Sequence, residues 1–235
     1  MDLSKDWALR PTARLPRRGL QAGLVFPLHD RVCHPFAVEG REHLESLATP
    51  ALFIANHTSH LDTPTALRAL PSAVRQRVAV AAAADYFYRD GRLGFAVSLL
   101  LNTFPFCRDG SPRASLERCA RLVEGGWSIL MYPEGSRSAT GELQPFKCGI
   151  GLLARELRVP VVPLAIVGLD RVLPKGCRRP RPGPVTVRIG APIVISPDAD
   201  RRAAAAELRT ALATLLTNNH PDTSLFDTPP GVQWA

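Results

Sequence analysis

Residues 51–70 read "ALFIANHTSHLDTPTALRAL". Five apolar residues of strand type, Ala51 to Ala55, stop abruptly at a cluster of Asn, His, Thr, Ser, His and Asp, and a helical pattern follows from Ser59 to Leu70. A buried strand, a polar turn and a helix make up the unit from which α/β folds are assembled. Two histidines and a carboxylate at the exit of such a strand are helix punctuation, a metal site or a proton-transfer pair.

The same alternation runs outward from this stretch. "RVAVAAAA" (77–84) reads as a strand, "DYFYRDGRLGFAVSLLL" (85–101) as mostly helical and "TFPF" (103–106) as a short strand. "SPRASLERCARLVEGG" (111–126) is a helix opened by Ser-Pro and closed by Gly-Gly, and "WSILMYP" (127–133) is a buried strand. After a loop at 134–145, "KCGIGLLAREL" reads as a helix, "VPVVPLAIVG" and "VTVRIG" as strands, and "DADRRAAAAELRTALATLLTNN" as a long Ala-rich helix. The expectation is a single α/β domain whose mostly parallel central sheet is flanked by helices. It occupies residues 38–217, with an amphipathic helical segment at 1–37 and a flexible tail at 218–235.

In that first segment Leu20, Leu24, Leu28 and Val32 recur every four residues among arginines, and Pro27 should kink the helix. A helix covering the core is the plainer reading, and an interfacial membrane helix the other. Twenty-nine Lys plus Arg against 21 Asp plus Glu give a net charge of +8, which attracts anions: nucleic acid, a phospholipid surface or phosphorylated small molecules. The five cysteines include no Cys-x-x-Cys pair, which argues for a reducing compartment and against a zinc knuckle. No signal-peptide core is present, and "LGFAVSLLLNTFPF" (93–106) is shorter than the ~20 apolar residues of a membrane span. The expected location is the cytoplasm, with at most peripheral attachment to the membrane's inner face.

Ser59 and Asp62 have the spacing of a capping box with Asp in the place of Glu. That leaves His57 unexplained. With His57 in the loop and Asp62 in the first helical turn, the carboxylate can reach one ring nitrogen and the other nitrogen faces the open end of the strand. A carboxylate that orients a general base has this arrangement. Metal binding by His57, His60 and Asp62 is disfavoured, because His60 would point away from His57 and the one later histidine is His220 in the tail. No Gly-x-Ser-x-Gly elbow provides a nucleophilic serine.

"YPEGSRS" (132–138) follows one apolar strand with Glu134, Gly135 and Arg137, and "FPFCR" (104–108) follows another with Arg108. Two arginines at strand ends of one sheet can converge on a dianion. Lys147 begins a helix, where a cation opposes the dipole, and so suggests an anion nearby.

These blocks resemble the glycerolipid acyltransferases, the family that includes 1-acylglycerol-3-phosphate (lysophosphatidic acid) acyltransferase. "NHTSHLD" is similar to the family's Asn-His-x-x-x-x-Asp block, "FPFCR" to the second, "YPEGSRS" to Phe-Pro-Glu-Gly-Thr-Arg-Ser, and "VPVVPLAI" with Pro163 to the fourth. Tyr132, Ser136 and Cys107 depart from the usual Phe, Thr and Asp. The resemblance implies a glycerol-phosphate acyltransferase-like fold and direct acyl transfer from acyl-CoA or acyl carrier protein to the hydroxyl of a lysophosphatidate-type acceptor. His57 is then the base and Asp62 its orienter, while Arg108, Glu134, Gly135, Arg137 and Lys147 hold the acceptor and its phosphate, with Glu134 on a glycerol hydroxyl. It implies no metal and no cofactor beyond the acyl donor. Phe87, Phe95, Leu99, Leu100 and Leu101 line an acyl groove or belong to the core. Other acceptors, such as a lyso-amino-lipid or a secondary-metabolite hydroxyl or amine, and a non-catalytic lipid-binding protein are the alternatives. Nucleic acid is not an expected partner, since no nucleic-acid module is recognisable.

Overall fold

In the computed structural model, residues 7–45, 47, 50–83, 91–106 and 112–217 are described. Arg108, Cys107, Phe87 and the tail from residue 218 lie outside them. A seven-stranded sheet has the order β1-β7-β6-β2-β5-β3-β4. The strands are β1 Cys33–Glu39, β2 Leu52–Ala55, β3 Val78–Ala83, β4 Thr103–Phe106, β5 Ser128–Met131, β6 Val161–Val167 and β7 Gly183–Ile189. All neighbouring strands run parallel except β6 and β7. The mostly parallel sheet expected from the alternation of strands and helices is present. β1 begins at Cys33, so the boundary expected after residue 37 falls inside a strand.

The helices are α1 Pro11–Leu20, α2 Phe26–Val32, α3 Asp62–Ala69, α4 Ser72–Arg75, α5 Gly91–Leu101, α6 Pro112–Glu124, α7 Gly149–Leu157, α8 Leu169–Val172 and α9 Arg201–Thr217. Every residue of β2 is buried, and its alternate side chains enter opposite layers. Phe53 and Ala55 pack with Leu67 and Leu70 from the α3 side, while Leu52 and Ile54 join Leu153 of α7 and Leu208 of α9. This continuous apolar run is what a strand covered by helices on both faces requires. At Gly151 the layers come so close that a Cβ would lie 2.0 Å from the carbonyl oxygen of Arg201, which fixes α7 against the start of α9.

The N-terminal stripe is only partly a core stripe: Val32 packs against the core and Leu20 is half-buried, whereas Leu24 and Leu28 face outward. A π-helical turn at Gln21–Val25 separates α1 from α2, and Pro27 lies in the first turn of α2. Each π-turn adds a residue and rotates the face that follows it. Leu15, Leu24 and Leu28 are 78%, 46% and 57% exposed, and Ala13, Arg17, Gln21, Phe26 and His29 point inward instead. Polar contacts hold these buried groups. Arg17 Nε donates to the carbonyl of Leu99 at 3.0 Å and Gln21 Nε2 to that of Leu100 at 2.9 Å, satisfying carbonyls at the end of α5. His29 contacts Asp30 Oδ1 through Nδ1 at 2.9 Å and Thr65 Oγ1 of α3 through Nε2 at 3.0 Å, and Arg68 pairs with Asp30 at 3.0 Å.

Burial holds the His29 imidazole below its ordinary range; Arg68 acts in the same sense, while the hydrogen bond and charge of Asp30 oppose them. A histidine with a depressed folded pKa supports the fold fully above its unfolded value, about 6.5, and loses that support as pH falls through the folded value. Urea midpoints of the parent should therefore fall more steeply than those of His29→Gln from pH 7 toward the carboxylate range near about pH 4. Parallel pH profiles would remove this role.

Candidate active site

Parallel strands share one C-terminal edge, and ligands of α/β proteins bind beyond it. β2 and β5 are neighbours there, so "NHTSHLD" and "YPEGSRS", more than 70 residues apart, leave the sheet side by side. His57 and Asp62 meet as the spacing predicts. Asp62 Oδ2 accepts Nδ1–H of His57 at 2.6 Å and the backbone N–H groups of Thr58 and Ser59, both at 2.8 Å. The carboxylate is fully buried, while the imidazole is 24% exposed. Holding the proton on Nδ1 leaves Nε2 as a free lone pair, the form a general base needs.

The capping box is only half formed. Asp62 accepts the Ser59 N–H, but the Ser59 hydroxyl accepts from Leu61 N at 3.1 Å and donates to the Leu173 carbonyl at 2.8 Å. Asp62 thus bends the loop that carries His57 as well as closing a helix.

The 132–138 loop fixes His57 from the other side. Glu134 Oε1 accepts the His57 N–H at 2.6 Å, and Ser138 N donates to the His57 carbonyl at 2.7 Å. Glu134 Oε2 accepts Gln144 N–H at 3.0 Å. Both oxygens of this buried carboxylate are engaged by main chain, and the residue does not line the cavity. Burial pushes its carboxyl up, and the amides of Gln144 and His57 oppose that shift. Glu134 therefore stands as a brace under His57 rather than against a glycerol hydroxyl.

Three supports were not legible as such. Asn56 pairs side chain to backbone with Ile166 through two 2.8 Å hydrogen bonds, extending the β2–β6 pairing to the residue before His57. Tyr132 stacks on the imidazole with centroids 4.2 Å apart and 20° between planes, and its hydroxyl meets Thr63 Oγ1 at 2.9 Å. Burial and the Asp62 carboxylate push the phenol well above its ordinary range. In sequence Tyr132 was only a departure from Phe; its hydroxyl has a meaning once α3 lies opposite. Lys175 is the third, donating Nζ–H to the Arg137 carbonyl at 2.8 Å from another loop.

A cavity of about 670 Å³ opens in front of this assembly. His57, His60, Gly135, Arg137, Lys147, Lys175 and Arg201 line it together with Tyr132, and Val80, Val97, Leu101, Phe106, Leu116 and Leu153 give it apolar walls. Of the groove residues expected on α5, Leu101 lines it, whereas Phe95 is 54% exposed and stacks on Trp7. Gly135 has φ +76°, and a Cβ there would meet Lys147 Cε at 2.7 Å, so the lysine lies across the glycine. Partial burial, then Arg137 and His57, hold the His60 imidazole below its ordinary range. Among the described residues no group of three or more His, Cys, Asp or Glu side chains is placed to hold a metal ion. Such a site can withdraw a proton at the mouth of an apolar chamber and hold an anion beside it.

Residues 35–167 match the family described as Acyltransferase. The chain is 34% identical over 142 residues to the 1-acyl-sn-glycerol-3-phosphate acyltransferase BAT2, chloroplastic, of Brassica napus, covering 59% of this chain and 39% of that protein. It is 32% identical over 163 residues to the 1-acyl-sn-glycerol-3-phosphate acyltransferase of Cocos nucifera, covering 68% and 50%. The chain thus spans half or less of the length of these curated relatives. The crystal structure of the 1-acyl-sn-glycerophosphate (LPA) acyltransferase PlsC from Thermotoga maritima has the same fold. Its TM-score is 0.62 at 21% identity, covering 86% of this chain and 83% of that one.

Removing the Asp62 carboxylate leaves two buried amides and the imidazole without an acceptor, at about 1–3 kcal/mol for each unsatisfied group. Asp62→Ala should lower the unfolding free energy by about 3 kcal/mol or more, and Asp62→Asn by less because its amide oxygen still accepts. A loss under about 0.5 kcal/mol in urea unfolding of Asp62→Ala would show that another contact holds the loop.

Proposed function

The chain belongs to the Acyltransferase family, and from that premise we propose that it transfers a fatty acyl group from acyl-CoA or acyl carrier protein to the free hydroxyl of a lysophosphatidate-type acceptor. The observation that carries this reading is the His57–Asp62 pair at the mouth of an apolar cavity rimmed by Arg137, Lys147 and Lys175.

His57 Nε2 takes the acceptor hydroxyl proton as the oxygen attacks the thioester carbonyl. The tetrahedral intermediate collapses, the carbon–sulfur bond breaks, and the imidazolium returns the proton to the thiolate. Asp62 stabilises the imidazolium, and Tyr132 keeps the ring in plane with its task. Arg137 and Lys147 bind the acceptor phosphate, with Arg108 expected beside them. The apolar walls receive the acyl chain. Neither the base nor the phosphate clamp calls for a metal or a resident cofactor.

Exposed Leu15, Leu24 and Leu28 together with exposed Arg18 and Arg31 of the same segment support peripheral contact with a membrane, which we place at its cytoplasmic face as part of this reading. Among the described residues no helix is long and apolar enough to cross a membrane.

His57→Ala should slow thioester-dependent acylation by about 10²- to 10⁴-fold in a protein that still folds cooperatively, since general-base assistance has that size. The lost donor to buried Asp62 lowers its melting temperature but not its folded content at the assay temperature. A rate within about threefold of the parent's would be too small for a lost base and would end the catalytic assignment.

Specificity for the phosphate is tested by the ratio of kcat/KM for a lysophosphatidate to that for the matching monoacylglycerol. One lost charge-assisted contact implies a preference of about tenfold or more. Arg137→Lys should shrink the ratio, because an ammonium cannot reproduce the planar fork. A parent ratio near one would favour a different acceptor.

A further inference from the structure

At the opposite end of the strands from His57, arginines gather that have no carboxylate partner among the described residues. Arg77 directly precedes β3, Trp127 directly precedes β5, and Ser128 N donates to the Arg77 carbonyl at 2.8 Å. The Arg14 and Arg77 guanidinium groups lie 5.1 and 5.9 Å from the Trp127 ring centroid. Arg17, one helical turn after Arg14, is 1% exposed and feels the Arg14 charge. Arg75 lies over the Phe26 ring at 4.7 Å, and Gln76 and Gln21 close the seam between α1 and this segment at 3.4 Å.

The hydrogen-bond inventory of these cations is incomplete. Arg17 uses Nε on the Leu99 carbonyl and Nη2 on the Ala8 carbonyl, and its buried Nη1 has no partner among the described residues. Buried Nε atoms of Arg14 and Arg75 also lack partners there. Burial and like charge act together. Arg77 presses on Arg14, Arg14 on Arg17, whose pKa is brought down to about 10, and Arg68 and Arg18 on Arg75. Among the described residues, the one carboxylate paired with any of these arginines is Asp30, on Arg68. Unpaired, mutually repelling guanidinium groups with open donors are costly unless an anion neutralises them. A planar fork donating two parallel N–H groups matches a phosphate oxygen pair.

We propose that Arg14, Arg17 and Arg77, gathered about Trp127, form a second anion site that binds a phosphate group, separate from the catalytic cavity. Arg75 and Arg18 enlarge its positive field. The site is open at Arg77 and Arg18, which are exposed, and Leu15 of the same helix is exposed beside it. A lipid headgroup and a soluble phosphate share the chemistry that it recognises. The assignment does not depend on the proposed acyl transfer and is tested without turnover.

The test compares the parent with Arg14→Gln/Arg77→Gln, both arms using the full chain. In the first, melting is followed in inorganic phosphate against chloride at equal ionic strength; in the second, co-sedimentation is measured with phosphatidylcholine vesicles with and without phosphatidic acid. Arg137 is intact in both proteins, so phosphate held in the catalytic cavity cancels in the comparison. If the ligand is soluble phosphate, its apparent affinity should be at least about tenfold weaker in the variant. If it is a headgroup, the same weakening should appear on the phosphatidic acid vesicles alone. Without an anion, the variant should melt no lower than the parent, because two like charges are gone. Equal phosphate response and equal vesicle binding in the two proteins would overturn the site. Should the double variant fold poorly, Arg77→Gln alone carries the same comparison through an exposed side chain.

Discussion

The Asp62 carboxylate is the constraint on which the catalytic end of the molecule is built. It is fully buried and collects three N–H donors within 2.8 Å: the His57 imidazole and two consecutive amides of the loop before α3. A buried charge is tolerated only when its acceptor capacity is used, and here one oxygen bends the chain back on itself. The imidazole is thereby delivered with its proton already assigned to Nδ1. Helix entry, loop shape and tautomer are consequences of one side chain.

A base held on one side only could still turn away. The loop after β5 closes the other side, through Glu134 on the His57 N–H, Ser138 on its carbonyl and the Tyr132 ring across its face. Asn56 ties the preceding residue to β6. His57 therefore hangs from three neighbouring strands of the sheet. The arrangement explains why carboxylates are used away from the cavity lining: each replaces a ladder partner that the chain lost on leaving the sheet.

The N-terminal segment solves a different problem. Its inward face carries Arg17, Gln21 and His29, which cap α5 and anchor α3, and Leu24 and Leu28 of the apolar stripe face outward. Both helices bordering the cavity on this side are thus tied to the N-terminal segment by polar contacts, besides the apolar packing that seats Leu67, Leu70 and Leu101 against the core. That choice leaves an apolar outer surface and a group of arginines with donors to spare, two features suited to phosphorylated or lipid surroundings.

The sequence alone determined the α/β class, nearly every strand, and the His57–Asp62 pair, because strand alternation, helix ends and a five-residue spacing are local properties of the chain. Gly135 and Arg137 were legible as strand-end residues and Lys147 as a cation at a helix start, and they do line the cavity. What the tertiary structure decided concerns partners far apart in sequence. The use of Glu134 as a brace needs β5 placed beside β2, and the stacking of Tyr132 needs α3 opposite its hydroxyl. The outward turn of Leu24 and Leu28 follows from a single π-turn, which shifts a helical face by one residue without leaving any periodicity to read. The isolated arginines at the far end of the strands say nothing one by one. Their repulsion exists only because α1 folds against the segment before β3, and charge at a distance is a property of space, not of order along the chain.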